Sequence, residues 1–174
     1  MNSLLSEEYR NVLQQIHSTE HWGITASNYL DEIRTCIDKF QPKNILDYGC
    51  GAGGFKSGVS KYLDIDILEY EPGRPELQSN NLPREFVVCV DVLEHIEPDF
   101  LENVLMDLKR VTLKNGFFTV CTRPAIRILP NGWNAHLIQE SNEWWISKIT
   151  KYFNILGMRE HGPHDMVVIV EAKI

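Results

Sequence analysis

The sequence predicts an α/β domain with a mostly parallel sheet, on three observations. Segments with apolar residues at helical spacing alternate with short, almost continuous apolar runs, the order that strands joined by crossover helices produce. The first such run, residues 44–47, opens directly into a glycine-rich turn. Near the C-terminus two strand-like runs are separated only by REHGPHD, too short for a crossover, so they read as an antiparallel hairpin closing one end of the sheet.

The elements follow in order. Residues 4–17 place Leu4, Leu5, Tyr9, Val12, Leu13 and Ile16 at helical spacing, and residues 26–40 do the same with Tyr29, Leu30, Ile33, Ile37 and Phe40. Two N-terminal helices are therefore expected, joined by the polar loop STEHWGIT, with Pro42 ending the second. Residues 44–47 form the first strand, 54–62 a short helix and 65–70 a second strand. The run 86–90 (FVVCV) suits a strand buried on both faces. A helix begins near Pro98, buries Leu101, Val104, Leu105 and Leu108, and ends at Asn115-Gly116. Residues 117–121 make the next strand, Ser141 caps a helix running through Lys151, and 154–158 and 166–172 form the terminal hairpin.

The 174 residues fit one domain, with 1–41 supplying the N-terminal helices and 44–174 the sheet core. No stretch approaches the roughly 20 consecutive apolar residues of a membrane helix, and the N-terminus lacks the apolar core of a secretory signal. A cytoplasmic protein without membrane contact is the expectation. The net charge of -7 argues against extensive nucleic-acid binding, which depends on Lys and Arg neutralising phosphates. No pair among Cys36, Cys50, Cys89 and Cys121 has CxxC spacing; Cys89 and Cys121, in apolar runs, read as buried thiols.

The glycine turn reads NILDYGCGAGGF. Gly49, Gly51, Gly53 and Gly54 allow a tight turn and close approach of a ligand, and Gly49-x-Gly51-x-x-Gly54 on its own also satisfies a dinucleotide fingerprint. Asp47 separates the two readings. A carboxylate two residues before the first glycine would repel a pyrophosphate, whereas it suits the cationic amino-acid end of S-adenosylmethionine. A second acid belongs at the end of the next strand, where it can accept hydrogen bonds from both hydroxyls of a ribose. Glu69 and Glu71 share one face there, and Glu71, before Pro72, stands at the strand terminus.

Four segments in succession, LDYGCGAGG, LEYEPG, VVCVDVLEHIEP and GFFTVCT, resemble the motifs of the class I S-adenosylmethionine-dependent methyltransferases. The segment RPAIRILPNGWNAH is similar to one in small methyltransferases of bacteria and their phages. The resemblance implies a three-layer Rossmann-like sandwich with sheet order 3-2-1-4-5-7-6. It places the cofactor S-adenosylmethionine near Asp47, Gly49, Cys50, Gly51, Gly53, Glu69 or Glu71, Asp91 and Val92. The chain departs from the pattern after Glu71. The usual helix, strand and helix need roughly 35 residues, and only PGRPELQSNNLPRE is present. The third strand is thus missing or vestigial, and Asn80, Asn81 and Leu82 become candidates to line the adenine pocket.

For the chemistry, Asp91, Glu94 and His95 follow the next strand, where strand ends line the crevice. Histidine is the side chain type that ordinarily titrates near neutrality, so His95 and His136 are the candidate general bases. Asp91-x-x-Glu94-His95 with the later His136 resembles the metal-binding ExxEH element of ubiquinone-pathway and small-RNA 3′-end methyltransferases, which implies a divalent ion on these four residues. Asp91 stands where that element has Glu, and LEH also occurs in metal-free relatives, so metal-free histidines come first. Trp22, Arg123, Trp133, Asn134 and His136 are the candidate substrate contacts, with Arg123 and Arg127 suited to a phosphate or carboxylate. Trp22 and His21 could fold over the cofactor. Methyl transfer to O or N of a small or carbohydrate-like acceptor is the leading reading. A non-catalytic S-adenosylmethionine-binding module acting with a partner is the alternative.

Overall fold

The structure, a computed structural model, describes residues 3–161 and 165–173. Part of the turn expected over REHGPHD, residues 162–164, lies outside the described residues. Helix α1 (Glu7–Thr19) begins later than its apolar spacing predicts, because the Ser6 hydroxyl accepts from the Tyr9 N–H at 3.0 Å and so sets the cap. A single 3₁₀ turn, Thr25–Tyr29, leads into α2 (Leu30–Phe40). The chain then runs β1 (Asn44–Tyr48), α3 (Gly54–Val59), β2 (Asp66–Tyr70), β3 (Arg84–Val90), α4 (Leu101–Val111), β4 (Thr112–Cys121), α5 (Asn142–Ile149), β5 (Phe153–His161) and β6 (Asp165–Ala172).

The sheet has six strands in the order β2-β1-β3-β4-β6-β5. The pairings among β2, β1, β3 and β4 are parallel, and β6 runs antiparallel to both its neighbours. This is the expected order with the third strand absent. Residues 71–83 instead fold as turns beside the β2 edge, where the Asn80 side chain donates to the Glu69 carbonyl at 3.1 Å. Side chains here take over part of the role of the missing strand, since an unpaired strand edge must be covered.

One boundary differs more than by a residue or two. Asn115 and Gly116 do not end the α4 unit but lie inside β4, which starts at Thr112 straight after the helix. Helix and strand meet without a loop because the Thr112 hydroxyl satisfies the Leu108 carbonyl at 2.7 Å. Gly116 has a packing reason: a Cβ there would stand 2.7 Å from the ring of Phe118.

Alternation along the strands sends side chains to two cores. Leu46, Val87, Cys89, Phe118 and Val120 pack under α4 and α5, whereas Ile45, Phe86, Val88 and Phe117 pack under α2 and α3. The result is the predicted three-layer α/β sandwich. Trp145 is wholly buried, while Trp144 is half-buried against the same core with the Lys148 ammonium over its ring. The four cysteines are free and buried. Helix α1 belongs to neither layer: Leu5, Tyr9, Leu13 and Ile16 pack with Leu129 and Ala135 of the long loop after β4. No helix among the described residues is long and apolar enough to cross a membrane.

Candidate active site

The glycine turn after β1 is shaped by backbone contacts. Gly49 and Gly51 have φ of 76° and 52°, which L side chains rarely adopt. A Cβ on Gly49 would lie 2.5 Å from the Val92 side chain, and one on Gly51 would lie 2.5 Å from the Gly23 carbonyl oxygen. The second contact exists because the segment from Trp22 to Ile24 straps directly across the turn. Amide groups 49 to 53 are all engaged inward. Gly49 and Cys50 donate to the Tyr70 carbonyl, Gly51 to Glu71 Oε2, Ala52 to the Gly23 carbonyl and Gly53 to the Cys50 carbonyl. No N–H of these five is left to cradle a pyrophosphate, the arrangement a dinucleotide loop requires.

Beneath the turn lies a cleft with about 100 Å³ of free space, lined by Asp47, Gly49, Cys50, Gly51, Glu71, Asp91, Val92, His95 and Trp22. Helix α1 roofs it with Tyr9, Leu13 and His17. Asp47 is 2% exposed, and its Oδ2 has no hydrogen-bond partner. Burial, followed by the charges of Glu69 and Glu71, pushes its carboxyl up to about 8. A buried carboxyl oxygen without a partner is costly unless something donates to it.

The two candidate acids separate in space. Glu71 lines the cleft, taking the Gly51 N–H on Oε2 and the Gly73 N–H on Oε1. Glu69 pairs instead with Lys56 at 3.3 Å and is not among the lining residues. Asn81 is also elsewhere: its amide donates to Asp107 at 3.1 Å, in a groove shared with Tyr70 and Arg110. Gly53 lies on the Glu69 side of the turn, where a Cβ would meet Glu69 Oε1 at 3.0 Å.

At the edge of the cleft, Glu94, His95 and His136 bring one ligand atom each within 4.8 Å of one another. A carbonyl oxygen only accepts, so His95 Nδ1 donates to the Ala135 carbonyl and His136 Nδ1 to the Arg123 carbonyl, both at 2.6 Å. Nε2 is thus the nitrogen of each ring left free of these bonds. Glu94 is fully buried; its Oε1 accepts the Cys121 N–H, and its Oε2 has no partner. Burial and the Asp91 charge hold its carboxyl well above the usual carboxylate range, and burial pushes His95 down to about 4. Asp91 is not in the cluster. With φ of 51° it turns toward β4 and accepts from the Thr119 hydroxyl at 2.5 Å.

The loop after β4 is folded on itself. Asn134 bonds both backbone groups of Ala125 and the His136 N–H, so its side chain holds the loop together. Trp133 is 44% exposed and does not line the cleft. Arg123 is exposed beside Cys121 and Asp165. Arg127 forms a two-pronged pair with Glu20 at 2.8 Å and lies over the Trp22 ring, joining the loop to the end of α1. Trp22 stands edge-on to His95 at 5.2 Å, and both rings line the cleft. His21 faces an outer groove with Arg74 and Glu76. Nothing in the helical spacing of α1 marks Tyr9, Leu13 and His17 as site residues, because amphipathic spacing names a buried face and not what it covers.

No protein-family model matches the sequence, and no curated protein matches it. Solved structures do. The chain is similar to DhpI in complex with SAH, at TM-score 0.66 and 13% identity, over 96% of this chain and 98% of that one. It is similar to the 1,6-didemethyltoxoflavin-N1-methyltransferase of Burkholderia thailandensis, with its substrate and S-adenosylhomocysteine bound, at TM-score 0.64 and 13% identity, over 100% and 94%. TehB from Haemophilus influenzae is longer: 82% of this chain covers 62% of it, at TM-score 0.62 and 12% identity. At these identities the likeness is one of fold: the α/β sandwich of this chain is shared with solved structures that include a methyltransferase.

Proposed function

We propose that the chain transfers a methyl group from S-adenosylmethionine to an oxygen or nitrogen of a small or carbohydrate-like acceptor. The observation that carries this reading is the unpartnered carboxylate oxygen of Asp47 in the glycine-lined cleft. A carboxylate kept out of water stabilises a cation placed against it, and the amino-acid end of this cofactor is cationic. Two neighbours solved with S-adenosylhomocysteine share the fold and support the reading. Displacement at the sulfonium needs an aligned nucleophile and a place for its proton. The Nε2 of His95, on a ring fixed by its bond to Ala135, is such an acceptor at the cleft wall.

A metal-assisted form of the reaction is favoured by one observation. The donor set fits a divalent ion: Glu94 Oε2 is buried without a partner, and both histidines have Nδ1 committed to carbonyls, the support that metal-binding imidazoles commonly have. Glu94, His95 and His136 would hold the ion, which would lower the pKa of a coordinated acceptor hydroxyl.

Calorimetry of the purified chain with S-adenosylmethionine and S-adenosylhomocysteine tests the proposal, and absence of binding by either at millimolar concentration removes it. The free space of about 100 Å³ is below the roughly 300 Å³ of small-molecule sites, so the walls of the cleft have to part to admit a nucleoside. Arg127→Ala should therefore speed S-adenosylhomocysteine association several-fold in stopped-flow measurements of Trp22 fluorescence. An unchanged rate would show that the Glu20–Arg127 pair does not restrain the roof.

A further inference from the structure

Resting on the cofactor reading above, we propose that His17 of α1 is a ribose-binding residue, paired with Glu71 to hold the two hydroxyls of the nucleoside. Glu71 is the acid at the carboxyl end of β2, and its two oxygens already accept one backbone N–H each. Each oxygen keeps a lone pair for a hydroxyl proton. Once both hydroxyls donate to this carboxylate, their own oxygens need a donor, and a carboxylate cannot supply one.

His17 is placed to do so. Its Nε2 lies 3.7 Å from Glu71 Oε1, with the two side chains only 7% and 8% exposed. That spacing is longer than a hydrogen bond but lets one hydroxyl oxygen sit beside both groups. The ring is seated by Gly73, where a Cβ would stand 2.7 Å from His17 Cδ2. Trp22 lies on its other side at 5.8 Å. His17 also lines both the inner cleft and the outer groove next to it, so it stands at the boundary a nucleoside has to reach. A helix that only covered the sheet end would present an apolar side chain at this position, as it does at Leu13 one turn earlier.

The test is calorimetry on the full chain with S-adenosylhomocysteine and with its 2′,3′-dideoxy analogue. His17→Ala is expected to weaken S-adenosylhomocysteine about three- to tenfold, the range one hydrogen bond commands, while the dideoxy analogue shifts less than twofold. His17→Phe keeps the volume without the N–H and should lose as much, and His17→Gln, which retains a donor, should recover part of the affinity. Equal losses for the two ligands, or unchanged affinity in both His17→Ala and His17→Phe, would overturn the proposal. Failure of the wild-type chain to bind S-adenosylhomocysteine would instead overturn the cofactor reading itself.

Discussion

Asp47→Asn should cost S-adenosylhomocysteine affinity about thirtyfold to a few thousandfold and at the same time make the free protein more stable. The loss follows from removing one member of a buried charge pair, an effect of roughly 2–5 kcal/mol. The gain follows from linkage. In the folded free protein the Asp47 carboxyl titrates at about 8, whereas in the unfolded chain it titrates near 3.9, so between those values the folded state binds the extra proton. Stability therefore falls as pH rises through this window, and the fall is complete above pH 8. Asparagine does not titrate, so the variant escapes it, by on the order of a few kcal/mol at pH 8 and by nothing near pH 4. Urea unfolding of both proteins at pH 5 and pH 8 measures the difference. The same proton links to the ligand: binding a cation requires ionised Asp47, so affinity should rise up to tenfold per pH unit below about 8 and level off above it. Parallel unfolding curves for the two proteins at both pH values would mean that Asp47 is not the buried acid described here.

His95→Ala should lower turnover by about 10²- to 10⁴-fold, the usual contribution of a positioned base, and Glu94→Gln separates the two chemistries at that site. If the cluster holds a divalent ion, Glu94→Gln loses bound metal and activity together, and chelation of the wild type does the same. If His95 acts alone, metal content is negligible and Glu94→Gln retains most activity, because an uncharged side chain of the same shape still accepts the Cys121 N–H. Acid adds a second readout. Burial pushes His95 down to about 4, below its unfolded value near 6.5, so the unfolded state binds the extra proton between those values and stability falls as pH drops from 6.5 to 4. The His95→Ala protein should lack that part of the acid transition. Full turnover in His95→Ala would remove both roles.

Most of the fold was readable because its signals are local. Apolar runs such as 86–90 belong to strands buried on both faces, and the shortness of residues 72–85 pointed to a missing or vestigial strand once set against the order that the resemblance implies. The errors fell where a neighbour decides. Asn115-Gly116 has turn composition, yet Asn115 pairs with Phe86 and Glu171, Gly116 pairs with Val87 and Val170, and the chain continues as strand. Glu69 and Glu71 share a strand face in any alternation argument; only the packing of the loop and α1 sends one to Lys56 and the other into the cleft. Asn81 is a plausible pocket residue by position and an Asp107 partner in space.

The sequence by itself determined the α/β class and a carboxylate before a glycine turn, because hydrophobic periodicity and the charge of Asp47 act over a few residues; the strand order was legible only through the resemblance of its motifs. The tertiary structure decided which groups meet. It roofed the cleft with α1, spent the amide groups of the turn inward, and gathered Glu94, His95 and His136 while leaving Asp91 on Thr119. These are contacts between segments far apart in the chain, set by how helices and loops pack over the strand ends, and no local spacing carries that information.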